Sequence, residues 1–173
     1  IEEYAFSGCS KLTGELKFPE STFHIKEYAF QWCKGFKKLS LSSHISTIEP
    51  NTFMGCQFEG ELILTESIIR IEDFAFYECS KFTGNLVIPD RVSSIGSNAF
   101  SGCTGFSSLK LNEHTSVIKH DAFFGCTGFT GDLEIHCSEI GDNAFYGCSG
   151  FSGTLKFTQH ILYIGDNAFY GCS

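Results

Sequence analysis

Nine cysteines and six histidines in 173 residues are the groups with which this chain could cross-link itself, hold a metal ion or run thiol chemistry. Eight of the cysteines, Cys9, Cys33, Cys56, Cys79, Cys103, Cys126, Cys148 and Cys172, recur at intervals of 22 to 24 residues. Equal spacing of this kind stacks like residues in columns. Neighbouring Cβ atoms then lie about 5 Å apart with parallel directions, whereas a disulfide needs about 3.8 Å and converging ones. No CxxC pair, the usual zinc half-site, occurs. The expectation is a ladder of buried free thiols acting as small hydrophobes. Cys137 falls three places before Ile140, where other repeats carry Ile45, Ile68, Val92 and Ile161, and is expected in the core as well.

His44, His114, His136 and His160 each precede a repeated isoleucine by four places. The last three come from consecutive repeats, so His114, His136 and His160 form the one candidate metal or pH-responsive column. The opposing reading is a polar loop edge, because other repeats carry Ser21, Ser67 and Arg91 there and the loop holding His136 is two residues shorter. The expectation is no metal and no cofactor. No GxSxG, HExxH, phosphate-binding Gly loop with a following Lys, or GxGxxG appears. His136 and Cys137 are adjacent, so in an extended segment their side chains diverge and form no dyad. The chain is therefore expected to be non-enzymatic.

What must position these residues is a repeat. The block IEEYAFSGC at Ile1 returns seven times, as IKEYAFQWC, IEPNTFMGC, IEDFAFYEC, IGSNAFSGC, IKHDAFFGC and twice as IGDNAFYGC. All eight copies keep Ile first, Phe sixth and Cys ninth; Thr52 replaces Ala once at the fifth place. Between blocks lies a second unit, compact as FKKLSL and FSSLKL, and one Gly longer as LTGELKF, FEGELIL, FTGNLVI, FTGDLEI and FSGTLKF. Its closing apolar, variable, apolar triplet predicts a short strand with one buried face, seven in all. In the block, apolar places at i, i+4, i+5 and i+8 predict a short helix or 3₁₀ return, with Gly before Cys suited to its end. A unit of about 23 residues cannot bury its own apolar face, but stacked units can.

The FKKLSL unit fits the LxxLxL strand pattern of leucine-rich repeats, and GCSGFSGTLKF followed by IGDNAFYGC resembles the BspA-like class of that family. The predicted architecture is thus an α/β leucine-rich repeat solenoid. It has a parallel concave sheet of about seven short strands and short helical or 3₁₀ returns on the convex side. Residues 1–173 form one domain, expected to be an uncapped segment of a longer array whose bare end rungs leave head-to-tail self-association open. The resemblance implies cell-surface proteins that bind host matrix proteins or other cells. It carries no catalytic or ligand motif to map onto residues.

Twelve Lys and Arg against twenty Asp and Glu give a net charge of -8, which argues against nucleic acid and anionic lipid as partners. No apolar run reaches the roughly 18 residues of a membrane span. That leaves the strand face as the surface for a protein partner. Its central outward column reads Lys17, Ser40, Ile63, Val87, Lys110, Glu134, Lys156, and the column two places earlier Glu15, Lys38, Glu61, Asn85, Ser108, Asp132, Thr154. Ile63 and Val87 are neighbours where a solvated strand carries polar residues, and Glu61, Asn85, Lys38 and Lys110 surround them. An apolar centre within a polar rim is the pattern of a binding hot spot, and these six are the expected partner-binding residues. A second aromatic column, Tyr77, Phe124, Tyr146 and Tyr170 with Met54, reads as a convex-side stack, and Trp32 with Lys34, Lys37 and Lys38 as a small basic spot. The expected function is a non-enzymatic adhesion or protein-binding module, extracellular or on the cell surface, contacting matrix or cell-surface proteins. An intracellular scaffold or structural spacer is the alternative, since no NxS or NxT sequon occurs and the cysteines look reduced.

Overall fold

The computed structural model describes residues 1–158 and 160–172. In chain order its strands are β1 Gly14–Lys17, β2 Phe36–Ser40, β3 Thr47–Ile48, β4 Gly60–Glu61, β5 Arg70–Ile71, β6 Phe82–Val87 and β7 Ser94–Ile95. They continue as β8 Phe106–Lys110, β9 Val117–Ile118, β10 Leu133–Ile135, β11 Glu139–Ile140, β12 Leu155–Phe157 and β13 Tyr163–Ile164. All pairings are parallel and join successive repeats. The chain is a parallel β-solenoid of about seven turns.

A strand occurs in each of the seven predicted units, but in FEGELIL it covers Gly60–Glu61 and ends before the predicted triplet Leu62–Leu64. A further six-stranded sheet, β13-β11-β9-β7-β5-β3, forms where the isoleucine opening each block and the residue before it pair across rungs. No helix occurs among the described residues, so the predicted helical or 3₁₀ returns are corrected to arcs of tight turns. The fourth residue of every block, Tyr4, Tyr28, Asn51, Phe74, Asn98, Asp121, Asn143 and Asn167, has φ between 53° and 58°. The eighth is left-handed too, including Trp32 and Glu78. A left-handed residue every fourth place stops a right-handed helix from propagating.

Stacking explains why arcs replace helices. Amides at the fifth, seventh and ninth places bond three residues back, as Ala75 to Glu72, Tyr77 to Phe74 and Cys79 to Phe76 (3.1–3.3 Å). Amides at the fourth, sixth and eighth bond to the next rung, as Phe74 to Ser97, Phe76 to Ala99 and Glu78 to Ser101 (all 2.8 Å). In a rung with a following neighbour the six amides from the fourth to the ninth place are thereby satisfied, half of them by a neighbour an isolated helix would lack. The same arc turns the first, fifth, sixth and ninth side chains inward: Ile71, Ala75, Phe76 and Cys79 are all buried. The spacing taken for a helical stripe is that of an arc.

Phenylalanine fills the interior in two columns. Phe53, Phe76, Phe100, Phe123 and Phe145 stack at 5.2–5.6 Å between centroids. Phe58, Phe82, Phe106, Phe129 and Phe151 stack at 5.5–6.4 Å. Rings of the two columns meet edge-on within a rung, Phe76 and Phe82 at 6.2 Å and 74°, the offset and T-shaped arrangements that aromatic quadrupoles favour.

The strand face is not one sheet. It divides into β1-β2, β4-β6-β8 and β10-β12. The breaks follow opening-turn length. A Gly-containing unit followed by a compact one pairs with a register shift, at Gly14/Glu15 and at Gly84/Asn85. A compact unit followed by a Gly-containing one loses the ladder: Glu59 N to Lys37 O (2.7 Å) and Thr130 N to Ser107 O (2.9 Å) are the amide bonds left at the two seams.

Candidate functional site

The closing triplets alternate in burial with period 2, both where β6 and β8 run into them and at Leu62–Leu64, which follows β4. Leu62, Leu64, Leu86, Ile88 and Leu109 turn inward and are buried, which points the residues between them at solvent. Ile63 is 63% exposed and Val87 47%. Both line one cleft of about 220 Å³ with Glu61, Asn85, Glu66 and Pro89. A Cβ on Gly84, which has φ +74°, would come within 2.9 Å of Glu61 Cγ, so this glycine leaves the space over which the Glu61 side chain lies. Asn85 Oδ1 accepts the Ser108 hydroxyl at 2.8 Å.

Four of the six expected residues, Ile63, Val87, Glu61 and Asn85, thus meet in one cleft. Lys110 pairs in register with Val87 and lines the next cleft. Lys38 lines neither: it lies 3.9 Å from Glu15, on the far side of the β2/β4 seam. The Ser40 hydroxyl holds the Glu15 carboxyl below the usual carboxylate range, with Lys38 adding to it.

The second cleft, about 590 Å³, lies at the β8/β10 seam, where Lys110, Asp90, Asp132, Glu134, His114 and His136 surround buried Leu109 and Leu111. The sequence carried its signal in the shortened return from Ile135 to Ile140, set against Leu111 to Ile118. Of the histidine column, His114 and His136 share this cleft and His160 is not among its lining residues. His136 Nδ1 lies 2.6 Å from Thr158 Oγ1. Among the described residues no group of three or more His, Cys, Asp or Glu side chains is placed to hold a metal ion.

The thiols form the expected ladder. All nine are free, and burial pushes Cys56, Cys79 and Cys103 far above the ordinary thiol range and Cys137 up to about 11. A protonated, buried thiol is neither a nucleophile nor a metal ligand. Composition missed a polar role. Each block thiol from Cys33 on donates to the Phe carbonyl of the preceding rung, at 2.9–3.1 Å.

Phe124, Tyr146 and Tyr170 stack at 4.9 and 5.0 Å, whereas Tyr77 turns to Phe74 at 5.6 Å. Tyr4 and Tyr28 form a further stack at 4.6 Å. Lys34 sits 5.0 Å over the Trp32 ring, while Lys37 pairs with Glu59 at 2.6 Å. Among the described residues no helix is long and apolar enough to cross a membrane.

No curated protein matches the sequence. Two solved structures are similar to it. One is a leucine-rich repeat protein from Bacteroides ovatus ATCC 8483, 20% identical over 99% of this chain and 67% of that one, with a TM-score of 0.47. The other is a leucine rich cell surface protein from Faecalibacterium prausnitzii A2-165, 16% identical over 91% of this chain and 63% of that one, also with a TM-score of 0.47. The family model described as BspA type leucine rich repeat region matches in six copies over residues 1–84 and 70–173, which together span the stacked rungs from end to end, and the chain belongs to that family.

Proposed function

We propose that this chain is a non-catalytic protein-binding module, displayed at a cell surface, that holds host or neighbouring-cell proteins through the strand face around Ile63 and Val87. One observation carries the reading: two large apolar side chains, 63% and 47% exposed, share a cleft on a face whose other outward residues are mostly charged or polar. Exposed apolar area within a polar rim is where partner surfaces are desolvated. Membership of the BspA-type family supports the adhesive role. Antibody labelling of intact source cells, lost on surface proteolysis, is the expected outcome for display. Binding to a captured partner should then fall at least about tenfold in Ile63→Glu with Val87→Glu, and unchanged binding would remove the site.

A second reading, an intracellular scaffold, is favoured by the nine free thiols, which suit a reducing compartment. Labelling only after permeabilisation would select it.

A further inference from the structure

We infer that the Ile63/Val87 cleft takes a cationic polypeptide segment, one in which Lys or Arg alternates with apolar side chains; this rests on the strand-face reading above. The apolar floor supplies burial, and the charge around it identifies the occupant. Elsewhere on this face three acids have a cation on the adjoining rung, Glu15 with Lys38 at 3.9 Å, Glu59 with Lys37 at 2.6 Å and Glu134 with Lys156 at 2.8 Å, and Asp132 accepts the Thr154 amide. Around the cleft this pattern stops. Glu61 and Glu66 line it, and Asp90 lies just past its Pro89 edge. All three are exposed, and among the described residues no ion pair or side-chain hydrogen bond engages any of them.

Two unpaired carboxylates over exposed Ile63 and Val87, Glu61 and Glu66, with Asp90 beyond them at the edge shared with the second cleft, make a negative potential against a low-dielectric wall, where field lines are focused. An anionic or purely apolar partner would bury those charges unpaired, at a cost. A segment with cations beside its apolar groups pairs them. Rungs are about 4.8 Å apart and an extended chain advances about 3.3 Å per residue, so two or three residues bridge the rungs of β4 and β6. Lys110, opposite Val87, bounds the negative region on the β8 side and disfavours cations beyond it.

The test is fluorescence anisotropy on the whole chain with three labelled peptides of equal length, alternating Lys/Leu, Glu/Leu and Lys/Ser. The Lys/Leu peptide should bind tightest and weaken as salt rises. Glu61→Gln with Glu66→Gln and Asp90→Asn should cost at least about tenfold. A control of equal charge change on exposed residues away from the cleft, Glu3→Gln with Glu27→Gln and Glu139→Gln, should cost less than about twofold. Lys110→Glu should tighten binding.

Equal losses in the two triple variants, equal binding of the Glu/Leu peptide, or no binding of the Lys/Leu peptide at low salt would each overturn the inference. The strand-face reading is separated from it by Ile63→Ser with Val87→Ser, read with the same peptides and with a captured partner. If this variant weakens binding while the acidic rim is without effect, the face stands and only the partner chemistry is wrong. If it changes no binding, the face itself is wrong. All these positions are exposed, so circular dichroism should show an unchanged fold.

Discussion

Cys79 Sγ donates to the carbonyl of Phe53 one rung earlier at 3.1 Å, and that carbonyl already accepts the amide of Cys56 at 3.1 Å. The thiol therefore satisfies the second lone pair of a buried oxygen while its bulk fills the core. Cys79→Ala removes both contributions and should cost roughly 1–3 kcal/mol, measured by urea denaturation in reductant. A cost below about 0.5 kcal/mol, typical of surface changes, would show that the contact does no structural work.

Alkaline pH should unfold the chain through the same ladder. Burial raises the thiols in the folded state, Cys137 to about 11 and Cys79 and Cys103 further, while unfolded cysteine titrates near about 8.5. The folded state thus keeps protons that the unfolded state has lost. The stabilisation is complete below about pH 8.5 and is lost as pH rises toward the folded values, by about 1.4 kcal/mol per pH unit for each such thiol. Urea midpoints in reductant should be level near pH 7 and fall steeply by about pH 10. A level curve across that range would contradict the burial assigned to the thiols.

The repeat made the solenoid, the seven strand-bearing units and the thiol ladder legible, because each follows from stacking like residues; it did not show that the strand in FEGELIL stops at Glu61. The returns were not, and Phe76 shows why: its place five after Ile71 satisfies a helical stripe and a turn arc alike, and only the cross-rung bond to Ala99 at 2.8 Å separates them. That bond exists only in the array. At the candidate site, Ile63, Val87, Glu61 and Asn85 were visible as two columns. Lys38 was misplaced relative to them because column reasoning assumes an unbroken sheet, whereas the compact FKKLSL unit opens the β2/β4 seam.

Glu78 occupies a place that is glycine in six of the eight blocks, with φ +56° and an exposed side chain. Its amide bond to Ser101 at 2.8 Å does not depend on the side chain. Glu78→Gly should therefore stabilise the chain by about 1 kcal/mol, relief of left-handed strain outweighing the added backbone entropy. Thermal denaturation at fixed pH reads the effect. A lower melting temperature would mean that the side chain contributes more than its backbone costs.

The open β8/β10 seam should close if the opening turns are made equal. Inserting Gly between Ser107 and Ser108 converts FSSLKL to the longer form carried by the units on either side, FTGNLVI and FTGDLEI. The register shift at Gly84/Asn85 loses its cause, and β8 and β10 gain a matched ladder. Two or three new backbone bonds should add roughly 1–3 kcal/mol. Amides along Phe106–Lys110 and Leu133–Ile135 should then exchange more slowly with deuterium, and the cleft of about 590 Å³ should narrow. Unchanged exchange in both strands would show that the shortened return from Ile135 to Ile140, not the opening-turn length, holds the seam apart.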